Sequence, residues 1–335
     1  MRDKKVCIII LAYTVLMIAI SLVGNNFLLD MVVLTGLWAF AAQAWNIAGG
    51  YSGQFSLGHC AFFGIGAYTS SILYCNTGLS PWVGMLIGGV IAAIVAAVYS
   101  GICNKLKGHF FALATLALGQ IMYIASVQLT SITKGSVGIN IPFKPGFLNM
   151  IFNSRATYAY IILTFVLLLT LFTYFIQKSK YGYFLYAIRD NERAAISLGV
   201  RGLQLKMGSF AVSAFFTAIA GTFYAQYILF IDPDSLLVLF LAVQMAIIAI
   251  IGGTGSYLGP LLGSVILIPL SMLLRAKINF VSGLDNLIYG LILMAVVLFL
   301  PDGLLPFILK IFKNRTGKKA MEKYPKGELN LDAKV

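Results

Sequence analysis

The side chains able to do chemistry are few and scattered: 2 histidines, 4 cysteines and 11 carboxylates among 335 residues. A loop of the form G-x-x-x-x-G-K-[ST] is absent, the one Gly-Lys pair being Gly317-Lys318, so the chain cannot cradle ATP phosphates in the P-loop manner. Cys7, Cys60, Cys75 and Cys103 form no CxxC pair and have no His cluster nearby, which makes them small buried hydrophobes and assigns no metal site. Asp30, Asp232, Asp234 and Asp285 fall near the ends of apolar runs, whereas proton- or sodium-coupled carriers place ionisable groups within the membrane. Sodium held by backbone carbonyls would escape that test. His59 and His109 each read as a proton relay or, more commonly, as a hydrogen-bonded structural histidine. Gln120, Gln226 and Gln244 lie inside apolar runs and either face a pathway or bond across helices. No Ser/His or His/Asp/Glu constellation suggests catalysis, so the chain reads as no enzyme.

Glycine is what clusters. Gly49-Gly50-Tyr51-Ser52-Gly53-Gln54-Phe55-Ser56-Leu57-Gly58-His59 ends one apolar run and opens the next, and Gly252-Gly253-Thr254-Gly255-Ser256-Tyr257-Leu258-Gly259 repeats the arrangement some 200 residues later. Backbone released from helix at membrane depth is tolerated only inside protein or beside a watery cavity. Gly53, Gln54, Ser56, Gly58, His59, Gly252, Gly253, Thr254, Gly255 and Gly259 are therefore candidates for a substrate path or gate. The competing reading is close helix packing through small residues. The likeness of Leu57-Gly58-His59 to Leu258-Gly259-Pro260 hints at an internal repeat.

The elements that position these residues follow from composition. Hydrophobic residues are 60% and charged residues 10% of the chain, against roughly half and a quarter in soluble domains. Apolar runs near 6–23, 31–49, 59–76, 82–103, 109–129, 157–177, 207–230, 236–253, 257–274 and 284–300 predict an all-α polytopic integral membrane protein of about ten transmembrane helices. Glycines and polar residues interrupt 59–76 and 236–274, the pattern of broken or re-entrant helices. The run 6–23 follows Arg2, Lys4 and Lys5 but exceeds a signal-peptide core and lacks an A-x-A site, so it reads as a retained first helix.

Charge sets the orientation, because cationic loops stay cytoplasmic. With the N-terminus inside, Arg2, Lys4, Lys5, Lys105, Lys107, Lys178, Lys180, Arg189, Arg193, Arg201, Lys206 and all basic residues from Lys310 onward are inside; only Lys134, Lys144, Arg155, Arg275 and Lys277 are outside. This placement accounts for the formal charge of +13 without nucleic acid. A transmembrane domain 1–309 thus carries an external loop 130–156 and an internal loop 178–206, and 310–335 is a basic cytoplasmic tail. Within the internal loop Phe184, Ile188, Glu192, Ala195 and Gly199 recur at helical spacing on one face, with Arg189 and Arg193 on another.

These residues resemble a family. Asn46 to Tyr68 (NIAGGYSGQFSLGHCAFFGIGAY), Phe110 to Ile121, Lys134 to Ile139, Ala187 to Gly199 (AIRDNERAAISLG), Phe230 to Ser235 and Ile251 to Gly263 are similar, in the expected order, to the LivM-type permeases of branched-chain amino acid ABC importers. The resemblance implies a subunit of a bacterial-type cytoplasmic (inner) membrane, where the charge placement puts both termini on the cytoplasmic side, partnered by a homologous permease, two ABC ATPase subunits and an extracytoplasmic solute-binding protein. It implies no cofactor in this chain, ATP and Mg being bound by the partners. It also implies that Ala187 to Gly199 couples to the ATPase, through Arg189, Glu192, Arg193, Ala194, Ala195 and Gly199. Ala194, Ala195 and Gly199 keep the A-A-x-x-x-G spacing of ABC permeases, while Glu192 is displaced by one residue. Urea or short amides are alternative substrates within the permease type. The rival reading of another class is a stand-alone secondary carrier or facilitator for small polar solutes, and the coupling segment has its own alternative, an amphipathic helix lying on lipid.

In a background without native cysteines, cysteines placed at Ser179 and Asn140 should react with impermeant reagents from opposite sides. Equal accessibility from outside would overturn the topology.

Overall fold

The computed structural model describes residues 25–277 except Lys107, together with Tyr13, Thr14, Met17 and scattered positions between Leu287 and Leu305. Its main helices are α1 (Asn26–Asn46), α2 (His59–Thr77), α3 (Pro81–Ile102), α4 (His109–Gln128), α5 (Arg155–Lys178), α6 (Lys180–Ser197), α7 (Gly202–Ile228), α8 (Leu239–Gly252) and α9 (Gly259–Lys277). A π-helical turn, Ile47–Tyr51, extends α1. Seven helices among the described residues are long and apolar enough to cross a membrane, so the expectation of about ten is not confirmed. The runs 6–23 and 284–300 lie outside the described residues, apart from isolated positions. The run 59–76 does form a helix, α2, but one that is not among the seven.

Polar residues such as Thr69, Ser70 and Ser71 suit α2 to an interior position, and 13 of its 19 residues are buried. It packs against α3 and α7, which also pack against each other. Contact is backbone to backbone: a Cβ at Gly66 would lie 2.0 Å from the Ala218 carbonyl oxygen, and one at Gly221 would lie 1.9 Å from that of Phe63. Thr222 Oγ1 donates to the Gly66 carbonyl at 2.9 Å across this crossing. Small residues let helices approach where lipid supplies no hydrophobic drive between them. A second group, α5, α8 and α9, gathers around α1, and α1 joins the two groups by packing on α7.

The interrupted run 236–274 resolves into two helices. α8 has 14 residues, about 21 Å at 1.5 Å per residue, which is short of a hydrocarbon layer of about 30 Å. The preceding turn Pro233–Leu236 completes its span. Six residues, Gly253 to Leu258, then connect it to α9.

Loops segregate to two ends. At one, the two-residue strands β1 (Ile139–Asn140) and β2 (Phe230–Ile231) pair antiparallel, Trp82 Nε1 donates to the Phe147 carbonyl at 2.8 Å, and Tyr123 donates to Asp234 at 2.8 Å. At the other, residues 52–58, 103–106, 178–201 and 253–258 meet, as the Gln54 to Ser100, Arg189 to Gly50 and Tyr186 to Gly255 contacts and a recess shared by Gly53, Cys103, Leu106 and Arg189 record. The grouping is the one that alternating spans require.

Gly221→Ala should overpack the α2–α7 crossing and cost about 1–3 kcal/mol. Gly146→Ala, whose Cβ would meet nothing nearer than 3.6 Å, should change stability by no more than about 0.5 kcal/mol. Thermal unfolding of the two variants in detergent checks the difference.

Candidate functional site

The two glycine runs, 200 residues apart in sequence, lie against each other at the end that gathers the basic loops. Asn46, fully buried at the end of α1, joins them. Its Nδ2 donates to the Ser256 carbonyl at 2.9 Å and its Oδ1 accepts from the Gly255 amide at 2.9 Å. Both bonds serve backbone groups that the break after α8 leaves without helical partners, in a setting where an unpaired group is costly. The approach is tight enough that a Cβ on Gly50 would sit 2.6 Å from the Gly255 nitrogen. Gly255 itself has φ +74, a conformation that L side chains resist.

Helix α6 closes over this junction. Ser179 caps its start, Oγ accepting from the Gly182 amide at 3.3 Å. Arg189 donates from Nη1 to the Gly50 carbonyl at 2.9 Å, Tyr186 donates from its hydroxyl to the Gly255 carbonyl at 2.6 Å, and the guanidinium stacks on the Tyr186 ring at 5.0 Å. One helix face thus holds one carbonyl from each glycine run. Burial pushes the Tyr186 hydroxyl up to about 12, so it remains a protonated donor at neutral pH.

The residues expected to couple do not all occupy the face expected of them. Asn191 breaks α6 with φ −155 and ψ 96, and its Oδ1 accepts from the Ala194 amide at 3.1 Å, which makes it the cap of a second short helix. Ile188 and Ala195 are buried within this chain, and Glu192 pairs with Lys206 of α7 at 2.5 Å. Gly199 leaves the shared face: it lies beyond the helix with φ +86, and the Val200 amide returns to the Ala195 carbonyl at 3.1 Å in a Schellman closure. Among the described residues nothing lies within 4 Å of a Cβ built there. Arg193 and Ala194 are exposed. Arg189 and Arg193 therefore part company, Arg189 turning in to the glycine runs and Arg193 facing out. Leu198, which the sequence did not single out, is 86% exposed.

The candidate gate residues divide by role. Gly58 packs on α4, where a Cβ would lie 2.1 Å from the Thr115 carbonyl oxygen. Gly252 and Gly259 let α8 and α9 cross at backbone contact, the Gly252 Cβ position lying 1.9 Å from the Gly259 carbonyl oxygen. Ser56 and His59 are buried in one hydrogen-bond chain: His59 Nδ1 meets Ser56 Oγ at 3.0 Å, His59 Nε2 meets Ser213 Oγ at 2.8 Å, and Ser213 donates to the Ala44 carbonyl at 2.7 Å. That geometry is the structural-histidine alternative. Gln54 donates to Ser100 at 3.2 Å, and its carbonyl oxygen has no protein partner among the described residues. Gly53 and Thr254 are exposed, and Gly253 turns the chain with φ +117. Of the intramembrane glutamines, Gln120 is exposed and Gln244 half-buried, while Gln226 is fully buried with neither amide atom partnered among the described residues.

Sequence reading passed over the two side chains that bind the junction together, Asn46 and Tyr186. Tyr186 precedes Arg189 by three residues and so shares its helical face, a signal available in the sequence. For Asn46 the only signal was a polar residue just ahead of a glycine pair.

The family model described as "Branched-chain amino acid transport system / permease component" matches residues 27–297. The chain is 27% identical to the high-affinity branched-chain amino acid transport system permease protein LivM of Escherichia coli K12, over 92% of this chain and 77% of the relative. A probable LivM permease of Methanocaldococcus jannaschii is 22% identical over 73% of this chain and 78% of its own length. The autoinducer 2 import system permease protein LsrC of Yersinia pestis Pestoides F is 30% identical over 41% of this chain and 40% of its own. No solved structure matches the chain.

Replacing Asn46 by Leu removes both junction bonds and leaves a buried amide and carbonyl unpaired, each costing about 1–3 kcal/mol. Tyr186→Phe should cost about 1 kcal/mol. Thermal unfolding should rank Asn46→Leu well below Tyr186→Phe, and both below the native chain.

Proposed function

The chain belongs to the permease family of branched-chain amino acid ABC importers, and on that premise we propose that it moves branched-chain amino acids inward under the control of ATPase subunits docked at α6. The observation that carries this reading is the double attachment of α6. Its inner face bonds the carbonyls of Gly50 and Gly255, one from each glycine run, while Arg193, Ala194 and Leu198 face away from the chain. A displacement of α6 by a partner is therefore transmitted to both backbone breaks at once.

Substrate identity rests on the names of the relatives, two of which are branched-chain amino acid permeases. The basic end is cytoplasmic by the distribution of Lys and Arg. There α6 meets an ATPase subunit, a homologous permease completes the pathway, and a solute-binding protein delivers substrate at the opposite end. Within this scheme the docking contacts belong to Arg193, Leu198 and the exposed Gly199 turn. Arg189, Glu192 and Ala195 hold α6 to its own permease. Gly53, Gly253 and Gly255 are the hinges of the gate, and Gly58, Gly252 and Gly259 are its packed supports.

Leu198→Asp should reduce co-purification of the ATPase subunits at least about tenfold, since it places a charge in an apolar contact. Arg193→Glu should weaken the same contact more at low salt than at high salt, because screening is least at low ionic strength. Both variants should insert normally and lose uptake. Undiminished co-purification and uptake in both would overturn the docking assignment.

A further inference from the structure

At the end opposite α6, between α1 and α5, a cavity of about 530 Å³ opens beside Asp30 and Arg155. Its size falls in the range of small-molecule pockets, about 300–1,000 Å³. Leu34, Phe152, Ile228 and Met272 contribute apolar wall, and Tyr158 and Tyr227 also line it. The charged pair is set into this apolar lining. Arg155 bonds Asp30, and Tyr227 donates its hydroxyl to the other carboxylate oxygen. Four helices, α1, α5, α7 and α9, thus meet around one positive and one negative group.

We propose that this cavity is an external binding site for an apolar amino acid in its zwitterionic form. The ligand carries the same two charges with the signs reversed, a short distance apart, and an apolar side chain that matches the wall. Its carboxylate takes the Arg155 guanidinium, whose hydrogen bonds among the described residues, to Asp30 and the Asn26 carbonyl, both run through Nη1 and leave the rest of the donor fork for a bidentate ligand. Its ammonium takes the Asp30 carboxylate, which Tyr227 already holds in place.

The pair is suited to being exchanged. Its side chains are 47% and 24% exposed, and partly hydrated ion pairs are weak enough for a ligand's two charges to replace. A wholly buried pair would resist opening. The location also suits entry, because it lies beside the external loop 130–156 and away from the glycine junction. This inference rests on the transport reading and adds to it a substrate contact within this subunit.

The test uses the assembled importer in lipid nanodiscs without its solute-binding protein, with ligand binding followed by saturation-transfer NMR. The probes are leucine, isocaproate, which lacks the ammonium, and isopentylamine, which lacks the carboxylate. Asp30→Asn should weaken leucine and isopentylamine at least about tenfold while leaving isocaproate little changed; Arg155→Gln should weaken leucine and isocaproate and spare isopentylamine. This crossed pattern is one that a purely structural ion pair cannot produce. Equal losses for all three ligands, or no variant effect, would make the pair a clamp between α1 and α5 and overturn the site. Leucine uptake by the native importer with its binding protein is measured in parallel. Uptake without the crossed pattern sinks the site alone, and the crossed pattern without uptake sinks the transport reading instead. Should either variant fail to assemble, Asp30→Glu and Arg155→Lys, which keep the charges and alter reach, must each shift the affinity of the matching single-charge probe alone.

Discussion

Two breaks in helical backbone, within a chain built to exclude water, constrain the rest of this structure. Each break frees amides and carbonyls that must find partners inside the protein. Here the breaks answer one another: Asn46, at the end of the first, bonds an amide and a carbonyl of the second. The close approach of Gly50 and Gly255 follows from that pairing, as does the absence of side chains at both positions, since a Cβ at either would collide with its neighbours. The crossing of α8 and α9 at Gly252 and Gly259 brings the second break back to the first.

This arrangement gives α6 its mechanical meaning. A helix fastened to one loop could shift without consequence, but α6 is fastened to two carbonyls, one at the end of the α1 span and one in the connector between α8 and α9. Its own kink at Asn191 separates the work of its halves. The first half binds the junction, and the second, capped by Asn191 and closed by Gly199, presents an outward surface. Both halves lie on a rigid base, because Ile188 and Ala195 are buried and Glu192 is tied to Lys206.

The glycines show how one composition serves two ends. Close packing and a substrate path were competing readings for the whole set, and the geometry divides the glycines into packed and turning positions. Gly58, Gly252 and Gly259 are occupied by neighbouring backbone where a side chain would stand; Gly53, Gly253 and Gly255 turn the chain through positive φ. The exposed Gly53 also lies next to Arg189, whose Cγ would be 2.9 Å from a Cβ there. Gly199, the glycine on which the coupling segment's pattern turns, is required locally by a helix closure whatever surface docks on it.

The sequence by itself determined the solvent, the element type and the alternation of ends, because these depend on sums over many residues. Long apolar runs demand helices in lipid, and the placement of Lys and Arg groups the loops. The order of its motifs also carried the family. What only the tertiary structure decided were the pairings: which glycine run meets which, that Asn46 and Tyr186 bind them, that Arg189 turns inward and Arg193 outward, and that α2 can be polar because it is enclosed. The helical face read across Phe184 to Gly199 is interrupted at Asn191, whose side chain bonds the Ala194 amide, and it ends before Gly199, which the helix closure carries off the face. Contacts between residues 200 positions apart leave no local periodicity, so the sequence displays both partners without showing that they touch.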